Sequence, residues 1–292
     1  MNVSVLIITY NQSAYIEQAI ESVLMQKASD AYEFILLDDN STDDTFEKAY
    51  GLLKGRPFCS LIKNDQNLGI TRNYQKGFSL CTGKYVFVLE GDDYWTDSLK
   101  MDKQINFLDN HPFHSMCFHP FIVQKGVTGV VDQNLVDKYS TKSDTFGINE
   151  ILLNEGLIAN FSVCCYRNKW LKRLPEALFD KLSYDWIINI FMGHFGLLGR
   201  INEAMSVYRH SDSSAWSKNS LYGNISKALD LLPVYNELLE GKYAQLFEQK
   251  SVMLKRQLSE IEKGNPKGNS IVFSRMKKYI KLLIPPIFIL RK

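Results

Sequence analysis

Three largely apolar runs in this chain stop abruptly at polar or acidic residues. Val3 to Ile8 ends on Thr9-Tyr10-Asn11, Phe34 to Leu37 ends on Asp38-Asp39-Asn40-Ser41, and Phe87 to Leu89 ends on Glu90-Gly91-Asp92-Asp93. Runs this apolar and this short read as strands buried on both faces, the habit of a parallel sheet covered by helices. The segments between them carry a helical period. Ile16, Ala19, Ile20, Val23 and Leu24 share one face, with Ser13 as a candidate N-cap. A second helix is expected to start near Ser41 or Thr42, placing Asp43 and Asp44 in its first turn, and a third to cover about residues 71–80. Crossovers between such strands are right-handed by default. Ligands of an open α/β sheet bind outside the carboxyl ends of its strands, so the acids gathered there mark the candidate site.

Glycine-rich phosphate loops do not accompany these strands. The first ends in Thr-Tyr-Asn rather than a GxGxxG turn, and the segment from Gly77 to Lys84 has the wrong spacing for a P-loop and continues into Tyr85. The pattern therefore points away from a classical dehydrogenase or P-loop NTPase, and nucleotide recognition falls to side chains and a metal. With 292 residues, 45% hydrophobic and 23% charged, the chain can bury a core of one large or two small domains. Eight of its 34 basic residues lie from Lys263 onward, where there is no acid; the rest of the chain holds 26 basic against 32 acidic residues. That acidic body offers nucleic acid no basic face. Cys59, Cys81, Cys117, Cys164 and Cys165 lack CxxC spacing and read as small core residues in a reducing compartment. The chain as given opens on a strand rather than on a secretory signal, and a cytoplasmic location is expected.

Further along, a helix is expected over about residues 98–109, and strands over His114–Gln124 and Phe161–Arg167. The polar stretch from Asp132 to Asp144 reads as a mobile loop. Tyr184-Asp185-Trp186 opens a helix to about Phe195, Arg200 to Tyr208 returns extended, and residues 221–262 are helical. In the last segment, Val272, Phe273, Met276, Tyr279, Ile280 and Leu283 fall on one helical face and Arg275, Lys277, Lys278 and Lys281 on the other. That is the pattern of a helix lying on an anionic membrane.

The strand ends, together with Asn67-Leu68-Gly69-Ile70-Thr71-Arg72-Asn73, resemble the inverting family 2 glycosyltransferases. That family has a "TYN" first strand end, a "DDxSxD" second, an "NxGxxxxRN" loop and a "DxDD" fourth. The resemblance covers about residues 1–217 and implies a GT-A fold: α/β, a Rossmann-like, mostly parallel sheet flanked by helices, here with a C-terminal helical extension. The implied organisation is a nucleotide-sugar half over 1–95 and an acceptor half over 96–217, followed by a helical extension over 218–262 and a basic amphipathic tail over 263–292.

The same resemblance implies the site. Asp93 would bind a divalent metal and Asp92 the metal or the ribose, while Glu90, standing where Asp is usual, supports them. Asp39 would accept from the base, Thr9, Tyr10 and Asn11 would hold base and ribose, and Arg72 would contact base or diphosphate. Asp185 takes the place of the catalytic base, with Asp180 as the fallback. Val207-Tyr208-Arg209-His210-Ser211 resembles the family's "YRxH" ending, so His210 is a further metal candidate, and Trp216 in the following loop could stack on a sugar. Oxygen ligands suit Mn2+ or Mg2+, which would stabilise a departing diphosphate. The implied function is metal-dependent, inverting transfer from a nucleotide-sugar, UDP-sugar first among them, to a glycan or lipid-linked acceptor in surface polysaccharide synthesis. Alternatives are a non-catalytic sugar-binding or scaffold protein of the same fold, and a sugar nucleotidyltransferase, which would need a glycine-rich first loop that is missing. Location is expected in the cytoplasm, peripheral on the inner face of the membrane.

Overall fold

The computed structural model describes residues 2–125, 131–132, 144–154, 158, 160–181, 184–210 and 220–263. It divides into two compact units, residues 1–211 and 212–292. In the first unit, β1 (Val3–Thr9), β2 (Tyr32–Asp38), β3 (Cys59–Lys63) and β4 (Tyr85–Glu90) lie parallel in the order β3-β2-β1-β4. The connections between them are α1 (Ile16–Leu24), α2 (Thr45–Leu53) and α3 (Ile70–Leu80). Every residue of β1 is buried, as its unbroken apolar pattern requires.

Beyond β4 the chain alternates between two sheets. Next come β5 (Tyr94–Trp95), α4 (Lys100–Asn110), β6 (His114–Phe118), β7 (Ile122–Lys125), β8 (Val131–Asp132) and β9 (Thr145–Phe146). They are followed by α5 (Ile148–Leu153), β10 (Cys165–Arg167), α6 (Asn168–Leu171), α7 (Asp185–Phe195), β11 (Leu197–Arg200) and β12 (Ser206–His210). The main sheet continues past β4 as β10-β6-β11-β9, with β10 antiparallel to β4. A smaller sheet, β5-β12-β7-β8, starts with only three residues between it and the acidic end of β4. One core joins the layers, with Val5, Ile7, Ile16, Ile20, Phe34, Leu36, Phe87, Leu89, Trp95, Met101 and Ile105 buried in a single cluster. Each such aliphatic side chain contributes about 1.5–3 kcal/mol.

Local chemistry moves several boundaries. Ser13 does not cap α1; its hydroxyl donates to Asp44 and accepts from Lys48, and no side chain caps that helix. Helix α2 starts at Thr45 rather than Ser41, because Asp43 accepts from the Thr45 N–H at 3.0 Å and closes the turn ahead of it. The stretch 114–124 is two strands in two sheets, broken at His119-Pro120, where proline has no N–H for a ladder. Phe161–Val163 forms a 3-10 turn, and only Cys165–Arg167 pairs as a strand. The cysteines form no disulfide; Cys81, Cys117, Cys164 and Cys165 are buried, and burial pushes the Cys81 thiol up to about 12. Residues 133–143, Trp216 and the amphipathic stretch 264–292 lie outside the described residues.

In the second unit α8 (Leu221–Leu238) packs on α9 (Ala244–Glu262), and the Ser220 hydroxyl caps α8 by accepting from the Gly223 N–H at 3.0 Å. Among the described residues no helix is long and apolar enough to cross a membrane.

Lys100 is a cation in this core. It has no solvent exposure, donates to Gln104 Oε1 at 2.6 Å, and rests over the Trp95 ring at 4.2 Å from its centroid. Burial lowers its pKa from 10.5 to about 8. Below pH 8 folded and unfolded chains are both protonated there; between about 8 and 10.5 the unfolded chain binds more protons, so stability rises with pH. The stability of the parent relative to Lys100→Met is expected to climb by roughly 2–3 kcal/mol across that window. Urea unfolding of both proteins at pH 7, 8, 9 and 10 checks it, and a constant difference would contradict the buried charge.

Candidate active site

Register places the three polar strand ends together. Thr9 pairs with Asp38 and Ile8 with Glu90, so the ends of β1, β2 and β4 form one rim. Asn11 takes a left-handed conformation, φ 51°, which asparagine tolerates better than most residues. Its N–H donates to Ser41 Oγ at 2.9 Å and its Oδ1 accepts from the Thr42 N–H at 2.8 Å, stitching the ends of β1 and β2. Tyr10 stands beside them with 45% of its surface exposed. Asp39 faces inward: Oδ1 accepts from Asn64 Nδ2 and the Leu68 N–H, both at 2.8 Å, and Oδ2 from the Gly69 N–H at 2.9 Å. It therefore holds the Asn67-Leu68-Gly69 loop, and Gly69 itself needs its positive φ of 79°.

The acidic turn after β4 is built around Asp93, which has no solvent exposure. Its Oδ2 accepts from the Ser162 hydroxyl at 2.6 Å and its Oδ1 from the Arg209 N–H at 2.9 Å. Burial and the charge of Asp92 push its pKa well up, while those two donors pull it back. The expectation that Asp93 itself is the metal ligand thus meets a buried carboxylate with both oxygens bonded to protein. Asp92, next in line, is partly exposed; burial raises its pKa, and Arg209 and the Gln12 side chain oppose the rise. Glu90 accepts from the Tyr74 hydroxyl at 3.1 Å and is pushed well up by burial and by Asp93, Asp92 and Asp185.

Asp185 opens α7, where it accepts from the Trp186 N–H at 2.8 Å. Its charge acts on Glu90, on buried Tyr74 and on Tyr208, whose pKa is raised by burial and by Glu90, Asp93, Asp92 and Asp185. Four carboxylates from two separate stretches, the turn after β4 and the start of α7, therefore share one field. Arg72 lies on α3, paired with Asp180 and donating to Gln75 at 2.6 Å. Thr9 is buried and donates to Gln12 Oε1 at 2.8 Å. His210 ends β12, and its side chain lies outside the described residues.

Gln12, Tyr74 and Ser162 carry no motif signal, and Arg209 stands in the "YRxH" stretch without a role that spacing reveals. Among the described residues no three His, Cys, Asp or Glu side chains are grouped to hold a metal unaided. Asp92 and Glu90 nevertheless fit a hard cation: they are oxygen donors in a negative field, and Mg2+ in particular commonly takes only one or two carboxylates alongside phosphate oxygens.

Fold and rim together define an α/β protein with an acidic site at a topological switch point. The sequence profile described as Glycosyl transferase family 2 matches residues 4–174, and the chain belongs to that family. Among curated relatives, the uncharacterized protein Rv1520 of Mycobacterium tuberculosis is 30% identical over 217 residues, covering 73% of this chain and 60% of its own length. The chain thus spans about 60% of that relative. Among solved structures, S. aureus TarS 1-349 in complex with UDP-GlcNAc superposes with a TM-score of 0.65 at 16% identity, over 87% of this chain and 71% of that one. Mannosyltransferase PcManGT from Pyrobaculum calidifontis, in complex with GDP-Man and Mn2+, gives 0.56 at 13% identity, over 96% and 80%. Both likenesses show the GT-A fold.

Ser162→Ala would leave Asp93 Oδ2 buried without its donor. Stability is expected to fall by about 1–3 kcal/mol, the cost of an unsatisfied buried acceptor. Urea denaturation measures it, and an unchanged midpoint would mean that the turn does not depend on this contact.

Proposed function

We propose that this chain is a metal-dependent, inverting glycosyltransferase that moves a sugar from a UDP-sugar to a hydroxyl of a glycan or lipid-linked acceptor in surface polysaccharide synthesis. The observation that carries the reading is the gathering of the polar ends of β1, β2 and β4 into one rim, where the charge of Asp185, from the start of α7, acts on Glu90. TarS, with UDP-GlcNAc bound, supports the choice of a uridine donor, and PcManGT, with Mn2+, supports the metal.

Asp92, assisted by Glu90, would hold the metal, and Asp93 anchors the turn that presents them. A bound Mn2+ or Mg2+ would supply positive charge to the diphosphate as it leaves. Tyr10 offers an exposed ring to the base, and Asp39 shapes the loop at Gly69. Arg72 would exchange Asp180 for donor phosphate. Asp185 takes the proton from the acceptor hydroxyl while that oxygen bonds to the anomeric carbon. The bond to the diphosphate breaks on the opposite face, and its electrons go to the phosphate oxygen. The basic tail, by its sequence pattern, would keep the enzyme near lipid-linked acceptors at an anionic surface.

Asp185→Asn keeps shape and removes the base. Transfer is expected to fall by roughly 10²–10⁴-fold, with affinity for UDP and manganese nearly unchanged. Turnover of UDP-sugars by parent and variant, with calorimetric UDP binding, separates the outcomes. Parental turnover in the variant would remove Asp185 from the role and send the search to Asp180.

A further inference from the structure

We infer that Arg209 and Gln12 form a positioning clamp that fixes Asp92 for its ligand, an inference that rests on the proposed donor site. Arg209 is only 4% exposed and joins four pieces of the first unit. Its backbone N–H bonds Asp93, its Nη1 donates to the Asp92 carbonyl at 2.6 Å, and its Nη2 donates to Gln18 on α1. The guanidinium lies between two rings, 4.4 Å from the Tyr94 centroid and 5.1 Å from that of Tyr15. A planar fork with donors at fixed angles can satisfy Asp92 and Gln18 at once; a lysine ammonium offers the charge without that geometry.

Gln12 approaches the same residue from the other side. Its Oε1 accepts from Thr9 Oγ1 at 2.8 Å, which fixes the amide orientation against Gly91, and its side chain opposes the rise in the Asp92 pKa. The close fit shows at Gly91, where an added Cβ would overlap the Gln12 amide oxygen and stand 2.7 Å from Thr9 Oγ1. Asp92 is thus held at its backbone carbonyl by the Arg209 guanidinium, with Gln12 packed against the preceding Gly91. Neither residue needs to touch the sugar; both act through the orientation of one carboxylate.

The test uses the full chain, with UDP as probe and MnCl2 as metal. Calorimetry gives UDP affinity with and without manganese for the parent, Arg209→Lys and Gln12→Ala, alongside melting temperatures. Gln12→Ala is expected to melt near the parent, Arg209→Lys somewhat lower for its lost buried hydrogen bonds, and both to keep metal-free UDP affinity. The strengthening by manganese should shrink by roughly 10- to 100-fold, the scale on which outer-sphere partners tune metal sites. A merely structural role would lower the melting temperature and both affinities together, and that result overturns the clamp. Parental manganese dependence in either variant also overturns it. Should Arg209→Lys fail to fold, Gln12→Ala decides alone by the same readout. A parent whose UDP binding ignores manganese would instead sink the donor-site reading, and this inference with it.

Discussion

The carboxylate of Asp93 is the fixed point on which the rest of the site is hung. A buried carboxyl group is tolerated only when its oxygens meet donors. Here the donors come from Ser162, in the 3-10 turn before β10, and from the backbone of Arg209 in β12. Satisfying one acid therefore ties the end of the main sheet to the smaller sheet. Ser162 extends the tie, since its hydroxyl also accepts from the Glu90 N–H at 3.1 Å and its carbonyl from Trp95 Nε1 at 3.1 Å. The residue before the turn, the anchor within it and the strand after it all meet at one serine.

Charge balance explains why such a tie is needed. Asp92, Asp93 and Asp185 act on Glu90 and Asp92 acts on Asp93, and a cation beside them is Arg209, whose own pKa burial lowers. Repulsion among the acids would splay a free turn. Arg72, the other cation expected at the site, is instead paired with Asp180, an exposed contact of the kind that contributes little to stability. A pair that weak can be exchanged for a diphosphate, whereas the contacts of Asp93 cannot be exchanged without unpicking the sheets.

What the sequence disclosed follows the range of each interaction. The ends of β1, β2 and β4 were readable because an apolar run and the acid that stops it are neighbours in the chain, and parallel register then does the gathering. The start of α7 at Asp185 was readable from the helical pattern, and its place as candidate base from the resemblance. Ser162 was hidden: it lies 69 residues from the acid it bonds, and no pattern in the chain marks it. Arg209 lies 116 residues from Asp93, and its meaning depends on β12 joining β5 rather than the main sheet. The boundary shifts at Ser13 and Thr45 have a different cause, since Ser13, Asp43 and Asp44 bond across the two strand-to-helix loops, where a local rule sees only a cap.

The two sides of the rim are built to different tolerances. On one side, β1 and β2 are stitched by short polar contacts among Asn11, Ser41 and Thr42, with Tyr10 left exposed. On the other, the acidic turn is covalently the junction of two sheets and is held from Ser162, Arg209 and Gln12. Electrostatic catalysis depends on charges already in place when bonds break, because dipoles that must reorganise return part of what they stabilise. Planar base recognition by a stacked ring tolerates a sliding contact. In the proposed reading, the rigid side is the one where negative charge would develop on a leaving diphosphate, and the adaptable side is the one that would grip the nucleoside.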